Sequence, residues 1–229
     1  MINYAFGLLC ILIALYCDIK SREINEYIWI TMIIFGLMYH IYLTFVTGNL
    51  IYITQSILGI VICFFLGYFM FLLGVGGGDG KLLIGLGALV PKYNIPISSP
   101  LGYLLSHPYL PTFPIFVLIN AIFLIILIPI IVFLKNISKY KPKNIKEFFM
   151  MFIAEKHKFS DIKDKNFVVL GKDGNINIIK NVEKKEEYGD DDIVWASPEI
   201  PFVVPIFFSY ILTPFIGDLI FKIIFNILA

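Results

Sequence analysis

Two aspartates, Asp18 and Asp79, each interrupt a long apolar run in a chain of 229 residues that is 59% hydrophobic and 15% charged. An ionisable side chain at membrane depth costs at least ~2.5–3.5 kcal/mol, so it calls for a water-filled cavity, a partner or a function. Most of the 17 acids lie in a polar stretch, Lys135 to Glu199, where solvation explains them. Five do not: Asp18, Glu23, Glu26, Asp79 and Asp218. Glu23 and Glu26 fall in a polar connection and need no special account. Asp218 lies late in the last apolar block, where an interfacial or packing role suffices. Asp18 and Asp79 remain as a candidate pair. Two close carboxylates sharing one proton can activate a water and protonate a carbonyl oxygen, which is what peptide hydrolysis requires.

Other chemistries find less support. His40, His107 and His157 are scattered, none in H-E-x-x-H spacing, and no serine sits in a G-x-S-x-G context. Cys10, Cys17 and Cys63 lie in apolar blocks without a C-x-x-C pair and read as small buried hydrophobes. Neither metal nor cofactor is expected. The formal net charge of +1 leaves no footprint for nucleic acid.

The elements that must position the pair are membrane helices. Apolar blocks run over 2–17, 27–46, 50–73, 82–90, 113–134 and 201–228. A span needs ~20 apolar residues. The first block reaches that length only if its helix continues past Cys17, which puts Asp18 just inside the membrane. The fourth is short. The first block lacks the charged start and small-residue cleavage site of a signal peptide, so it reads as a retained helix. These blocks predict an all-α polytopic membrane protein with six transmembrane helices and a small mixed α+β cytoplasmic region between helices five and six. The expected domains are 1–134 (helices one to five), 135–200 (polar region) and 201–229 (helix six).

Basic residues in the connections set the orientation. Lys20 and Arg22 follow block one, Lys81 follows block three, and Lys135, Lys139, Lys141, Lys143 and Lys146 follow block five. The opposite turns carry only Lys92. Asp18 and Asp79 are therefore expected on one cytoplasmic face, with both termini outside. Residues 92–112, rich in proline, read as an irregular external or interfacial loop. In the polar region, 143–157 reads as an amphipathic helix. Residues 167–170 and 175–179 read as a hairpin turning at 171–174, and 183–192 as a solvated loop.

Beside Asp79 lies a glycine run: Gly74, Gly76, Gly77, Gly78 and Gly80. Such a run is a poor helix and tolerates positive φ. It could be a plain turn, or a place where backbone approaches an extended substrate closely and the chain hinges. The Walker spacing of a phosphate loop is absent.

Gly76-Gly77-Gly78-Asp79 matches the GxGD motif of intramembrane-type aspartyl proteases. Together with Asp18-Ile19-Lys20-Ser21-Arg22-Glu23-Ile24 after the first block, it makes the whole chain resemble the type IV prepilin peptidase family, nearest its archaeal preflagellin peptidase branch. The family pattern often continues with Pro-Asn, whereas Asn25-Glu26 follows here. The resemblance implies an aspartic endopeptidase with Asp18 and Asp79 catalytic. Its substrates would be preflagellin or prepilin-like precursors, whose short basic leader is removed at the cytoplasmic face. No methyltransferase activity is expected, because the cysteine-bearing domain of bacterial members is missing. Gly76, Gly78, Glu23 and Glu26 are candidate substrate-binding or loop residues, and Asp190-Asp191-Asp192 a second candidate attractor of a basic leader. Two readings of another class stay open: an ion-coupled transporter using the two aspartates, and a non-catalytic assembly scaffold.

Overall fold

The structure, a computed structural model, describes residues 1–73, 76–162, 167–171, 189–198, 201–218, 220, 223 and 226. It is mostly helical, with one small sheet, and divides into two units: residues 1–124 with 201–229, and residues 125–200. Helices α1 (Ile2–Ser21), α2 (Glu26–Thr47), α3 (Ile51–Leu72) and α6 (Thr112–Ile137) are long and apolar enough to cross a membrane. Between α3 and α6 stand α4 (Gly77–Leu89) and the short α5 (Pro100–Leu105); α9 (Val203–Ile216) ends the described helices. At 1.5 Å per residue α4 and α9 are only about 20 Å long, short of a ~30 Å hydrocarbon core. Of the six spans expected, four stand as full-length candidates among the described residues. Residues 92–112 are not wholly irregular, since Ser99 caps α5 by accepting from the Gly102 N–H at 2.9 Å.

In the first unit α4 is the central element. Leu82, Leu83, Leu86, Ala88 and Leu89 are all buried, although the helix has no polar face to orient it. Glycine lets its neighbours come close. A Cβ on Gly36 would stand 2.6 Å from the Ala88 carbonyl oxygen of α4, and one on Gly67 2.9 Å from Gly80 Cα. A Cβ on Gly59 would fall onto the Gly87 carbonyl oxygen. Where lipid removes the hydrophobic driving force, helices associate through this kind of close backbone packing. The last turn of α4 leaves carbonyls without intrahelical donors. Ser56 Oγ donates to Ala88 O at 2.7 Å and Asn3 Nδ2 to Leu89 O at 3.1 Å. Tyr4 on α1 and Tyr210 on α9 stack at 4.7 Å, and each hydroxyl donates to the other's backbone carbonyl. The outward faces of α2 and α3 expose Phe45, Phe64, Phe65 and Phe69, as lipid-facing surfaces do.

Asp218 is a packing carboxylate. One oxygen accepts from Ser98 N and Oγ at 2.8 and 3.1 Å, the other from Ser99 N and Oγ at 2.7 and 2.6 Å. It follows α9 where Gly217, at φ +52, turns the backbone against the Pro96 carbonyl. The last apolar block therefore does not run as one unbroken helix.

The second unit holds α7 (Ile145–Ile153), α8 (Phe159–Ile162) and strands β1 (Glu155–Lys158), β2 (Phe167–Gly171) and β3 (Ile193–Pro198). The helix expected over 143–157 stops at Ile153, because Asn136 Nδ2 takes up the Met151 and Ala154 carbonyls and the chain turns into β1. The expected strand at 167–170 is present, but it pairs antiparallel with β3, which is central in the order β1-β3-β2. Its expected partner, 175–179, lies outside the described residues, as does most of 183–192. Lys156 sits over the Tyr140 and Trp195 rings at 5.1 and 4.8 Å and pairs with buried Glu147 at 2.7 Å.

Burial pushes the Glu147 carboxyl up, but hydrogen bonds from the Lys156 ammonium and the Lys143 N–H, with both lysine charges, hold it below the usual carboxylate range. A depressed carboxyl contributes stability that is fully present above its unfolded value of ~4.3 and is lost as pH falls through the folded one. Acid should therefore open this unit. Glu147→Gln should lower its stability by about 2 kcal/mol near neutrality, in the range for charge-assisted hydrogen bonds, and flatten its pH dependence below about pH 4. Amide hydrogen exchange over 145–158 measures both.

Candidate active site

Asp18 lies on the last turn of α1, which does continue past Cys17. The helix ends because Arg22 adopts φ 59, ψ 22 and its N–H caps the Asp18 carbonyl at 3.0 Å. Such a left-handed residue is the usual helix stop, most often glycine. Three residues later Asn25 starts α2, its side chain accepting from the Tyr27 N–H at 3.0 Å. Asn25 thus has a structural reason, and Glu26 occupies the first helical turn, where acids suit the helix dipole. The resulting connection is tight and holds Ile24 inward.

The glycine run departs from expectation. Gly77 to Gly80 form the first turn of α4, capped by Gly76, and among the described glycines only Gly48, Gly171 and Gly217 have positive φ. The glycines serve space rather than unusual backbone. A Cβ on Gly78 would stand 3.1 Å from Ile24 Cδ1, and one on Gly76 3.0 Å from Asp79 Oδ2. Gly78 therefore lets the segment carrying Asp79 close on the segment that follows Asp18.

Both aspartates are largely buried, and both line one cavity of about 610 Å³. Its other walls include Cys17, Arg22, Glu23, Ile24, Glu26 and Lys81. Asp79 lies within electrostatic range of Asp18, and Asp18 within range of Arg22. Asp79 Oδ1 is buried and accepts no hydrogen bond from the described residues, nor does the buried Arg22 Nε donate one. This is the opposite of Asp218, whose oxygens are both saturated.

Of the expected site residues the cavity gathers Asp18, Asp79, Gly76, Gly78, Glu23 and Glu26. Glu26 is already engaged, for Lys81 pairs with one oxygen and Trp29 Nε1 donates to the other at 2.7 Å. Asp190, Asp191 and Asp192 belong to the second unit and are not among the lining residues; Asp191 pairs with Lys158 at 3.7 Å. Sequence reasoning missed Arg22, Ile24 and Lys81 as wall residues. Their signal was proximity to the two aspartates in sequence, since each lies within six residues of one of them.

Comparison with known proteins decides the family. Residues 5–130 match the type IV leader peptidase family. The chain belongs to that family. Residues 138–219 match a second family, the archaeal peptidase A24 C-terminus of type II. The chain is 51% identical to a preflagellin peptidase of Methanocaldococcus jannaschii over 99% of both chains. It is 48% identical to a preflagellin peptidase of Methanococcus voltae, over 98% of this chain and 99% of that one. The figure for the preflagellin peptidase of Methanococcus maripaludis strain C6 is 44%, over 95% and 96%. As a type IV leader peptidase family member this chain is a multi-pass membrane protease.

Proposed function

We propose that the chain is an aspartic endopeptidase that removes the short basic leader of preflagellin, or of a pilin-like precursor, at the cytoplasmic face. The observation that carries this reading is the joint lining of one cavity by Asp18 and Asp79. Near-full-length likeness to three preflagellin peptidases supports the substrate class. Neither the transporter nor the scaffold reading has a comparable observation behind it.

In this mechanism the two carboxyl groups share one proton. The ionised one takes a proton from water, whose oxygen attacks the scissile carbonyl carbon, and the other gives its proton to the carbonyl oxygen. The tetrahedral diol then collapses. The C–N bond breaks as the proton held by the first group passes to the leaving nitrogen and one diol hydroxyl returns its proton to the second group, which restores the starting pair. Gly76 and Gly78 line the cavity next to Asp79, where the substrate backbone enters on this reading. The lysines and Arg22 flanking the spans support a cytoplasmic site with both termini outside. On that reading α4 and α9 complete six membrane segments, and 135–200 is the cytoplasmic region.

Membranes carrying the chain should shorten preflagellin by its leader. An intact precursor after prolonged incubation with a folded sample would overturn the proposal. Glu23 and Glu26 are placed to attract the basic leader, but Lys81 competes for Glu26. Lys81→Met should therefore lower KM for a basic-leader substrate by about 2–5-fold, the scale of an exposed ion pair, with kcat little changed. An unchanged KM in a steady-state peptide assay would remove Glu26 from leader binding.

A further inference from the structure

Helix α7 carries two apolar faces, and the second unit covers one of them fully and the other only along its Phe148 and Phe152 edge. Met150 and Met151 pack inward with Ala154 and Trp195. At 100° per residue Ile145, Phe148, Phe149, Phe152 and Ile153 share the opposite arc. Ile145 is 76% exposed, Phe149 64% and Ile153 52%. The helix is fixed against the end of α6, where Phe133 stacks on Phe152 at 4.1 Å and meets Phe148 edge-on at 5.4 Å. The outward face thus stands beside the point where a membrane-length helix ends, at Ile137. Exposed Lys146 falls beside Ile153 at the edge of that arc, and exposed Lys139, Lys141 and Lys143 precede the helix in the chain.

We propose that α7 is an interfacial helix that seats this aromatic face in the headgroup layer of an anionic bilayer, with the four lysines against lipid phosphates. The combination of a bulky apolar strip and lysines beside it is what binds an anionic membrane surface. Charge selects lipid over a second copy of the chain, because a self-associated strip would bring the two lysine clusters together. The role is separate from the leader-cleaving site and does not depend on it.

The test uses the full chain in vesicles of phosphatidylcholine, alone or mixed with phosphatidylglycerol. Nitroxide labels go at Phe149→Cys, Ile153→Cys and Lys146→Cys in a Cys17→Ser background, since Cys10 and Cys63 are buried. Labels at 149 and 153 should collide with oxygen more than with a water-soluble nickel chelate, as a label at exposed Ile131 on α6 does. The label at 146 should do the reverse. Phosphatidylglycerol should sharpen the contrast, and replacing the four lysines by glutamine should abolish that dependence. Labels at 149 and 153 as open to nickel as one at Asp191 would overturn the proposal, and so would dipolar coupling between copies. If Phe149→Cys fails to fold, a label at Ile145 reads the same face.

Discussion

Asp79→Asn should abolish leader cleavage while leaving the melting temperature of the protein unchanged or higher. The loss follows from chemistry, because an amide can neither accept the water proton nor donate to the carbonyl oxygen. Removing a positioned acid or base costs up to ~10⁴-fold, and loss of a member of a proton-sharing pair should reach at least ~10³-fold. The retained stability follows from structure. Asn is nearly isosteric, and the substitution removes a carboxyl whose buried Oδ1 has no partner among the described residues and which lies near a second carboxyl. Asp18→Asn should behave alike. Asp218→Asn should give the inverse result. It disturbs a carboxylate holding four hydrogen bonds, so about 1.5–3 kcal/mol of stability should go while the two catalytic candidates stay in place. Single-turnover cleavage and thermal melting in detergent separate the three variants. Cleavage surviving Asp18→Asn or Asp79→Asn would remove the assignment of those groups.

Gly87→Leu should be the most damaging substitution outside the cavity. A Cβ there would collide with the Gly59 carbonyl oxygen and stand 2.7 Å from Cys63 Sγ, and no rotamer of a leucine relieves a clash that begins at Cβ. Helices α3 and α4 must separate, at a cost of about 3 kcal/mol, the upper end for overpacking. Asp79 lies two turns earlier on the same helix, so the separation moves a candidate catalytic group. A displacement of about 1 Å can lower turnover 10²-fold. Gly48→Ala is the control. Nothing lies within 4 Å of its Cβ, and only the strain of φ +69 applies, about 1 kcal/mol. Melting curves together with kcat check both, and full activity in Gly87→Leu would mean that α4 is held less tightly than its glycines indicate.

The catalytic candidates were legible in the sequence because they break a strong pattern. An aspartate ending an apolar run needs an explanation whatever the fold, and the length of a span was enough to predict that α1 runs through Asp18. The start of α4 was not legible. Glycine propensity argues against a helix over Gly77–Gly80, and only tertiary contact reverses that judgement: Gly80 meets Gly67, Gly78 meets Ile24. The same glycines that look like a hinge in sequence are packing surfaces in space. Asp218 could be read as structural but not as clamped, since Ser98 and Ser99 are more than a hundred residues away. In the polar region the short apolar run Phe167–Leu170 marked a strand, yet its partner β3 follows the acidic run Asp190–Asp192 and carries no turn signal that ties it to β2. Local pattern finds strands; it does not find their neighbours.

Arg22 stands where a helix stop would ordinarily be glycine, and among the described non-glycine residues it is the one with positive φ. The backbone would sit more comfortably with no side chain at that position, by about 1 kcal/mol. The chain instead keeps a guanidinium there, next to the first aspartate and with its Nε unsatisfied. On the proposed mechanism, that choice gives up backbone comfort to keep a cation beside a reacting carboxylate. A variant selected only for heat resistance would be expected to lose this arginine to glycine, and to become a sturdier protein whose first carboxylate no longer has a cation beside it.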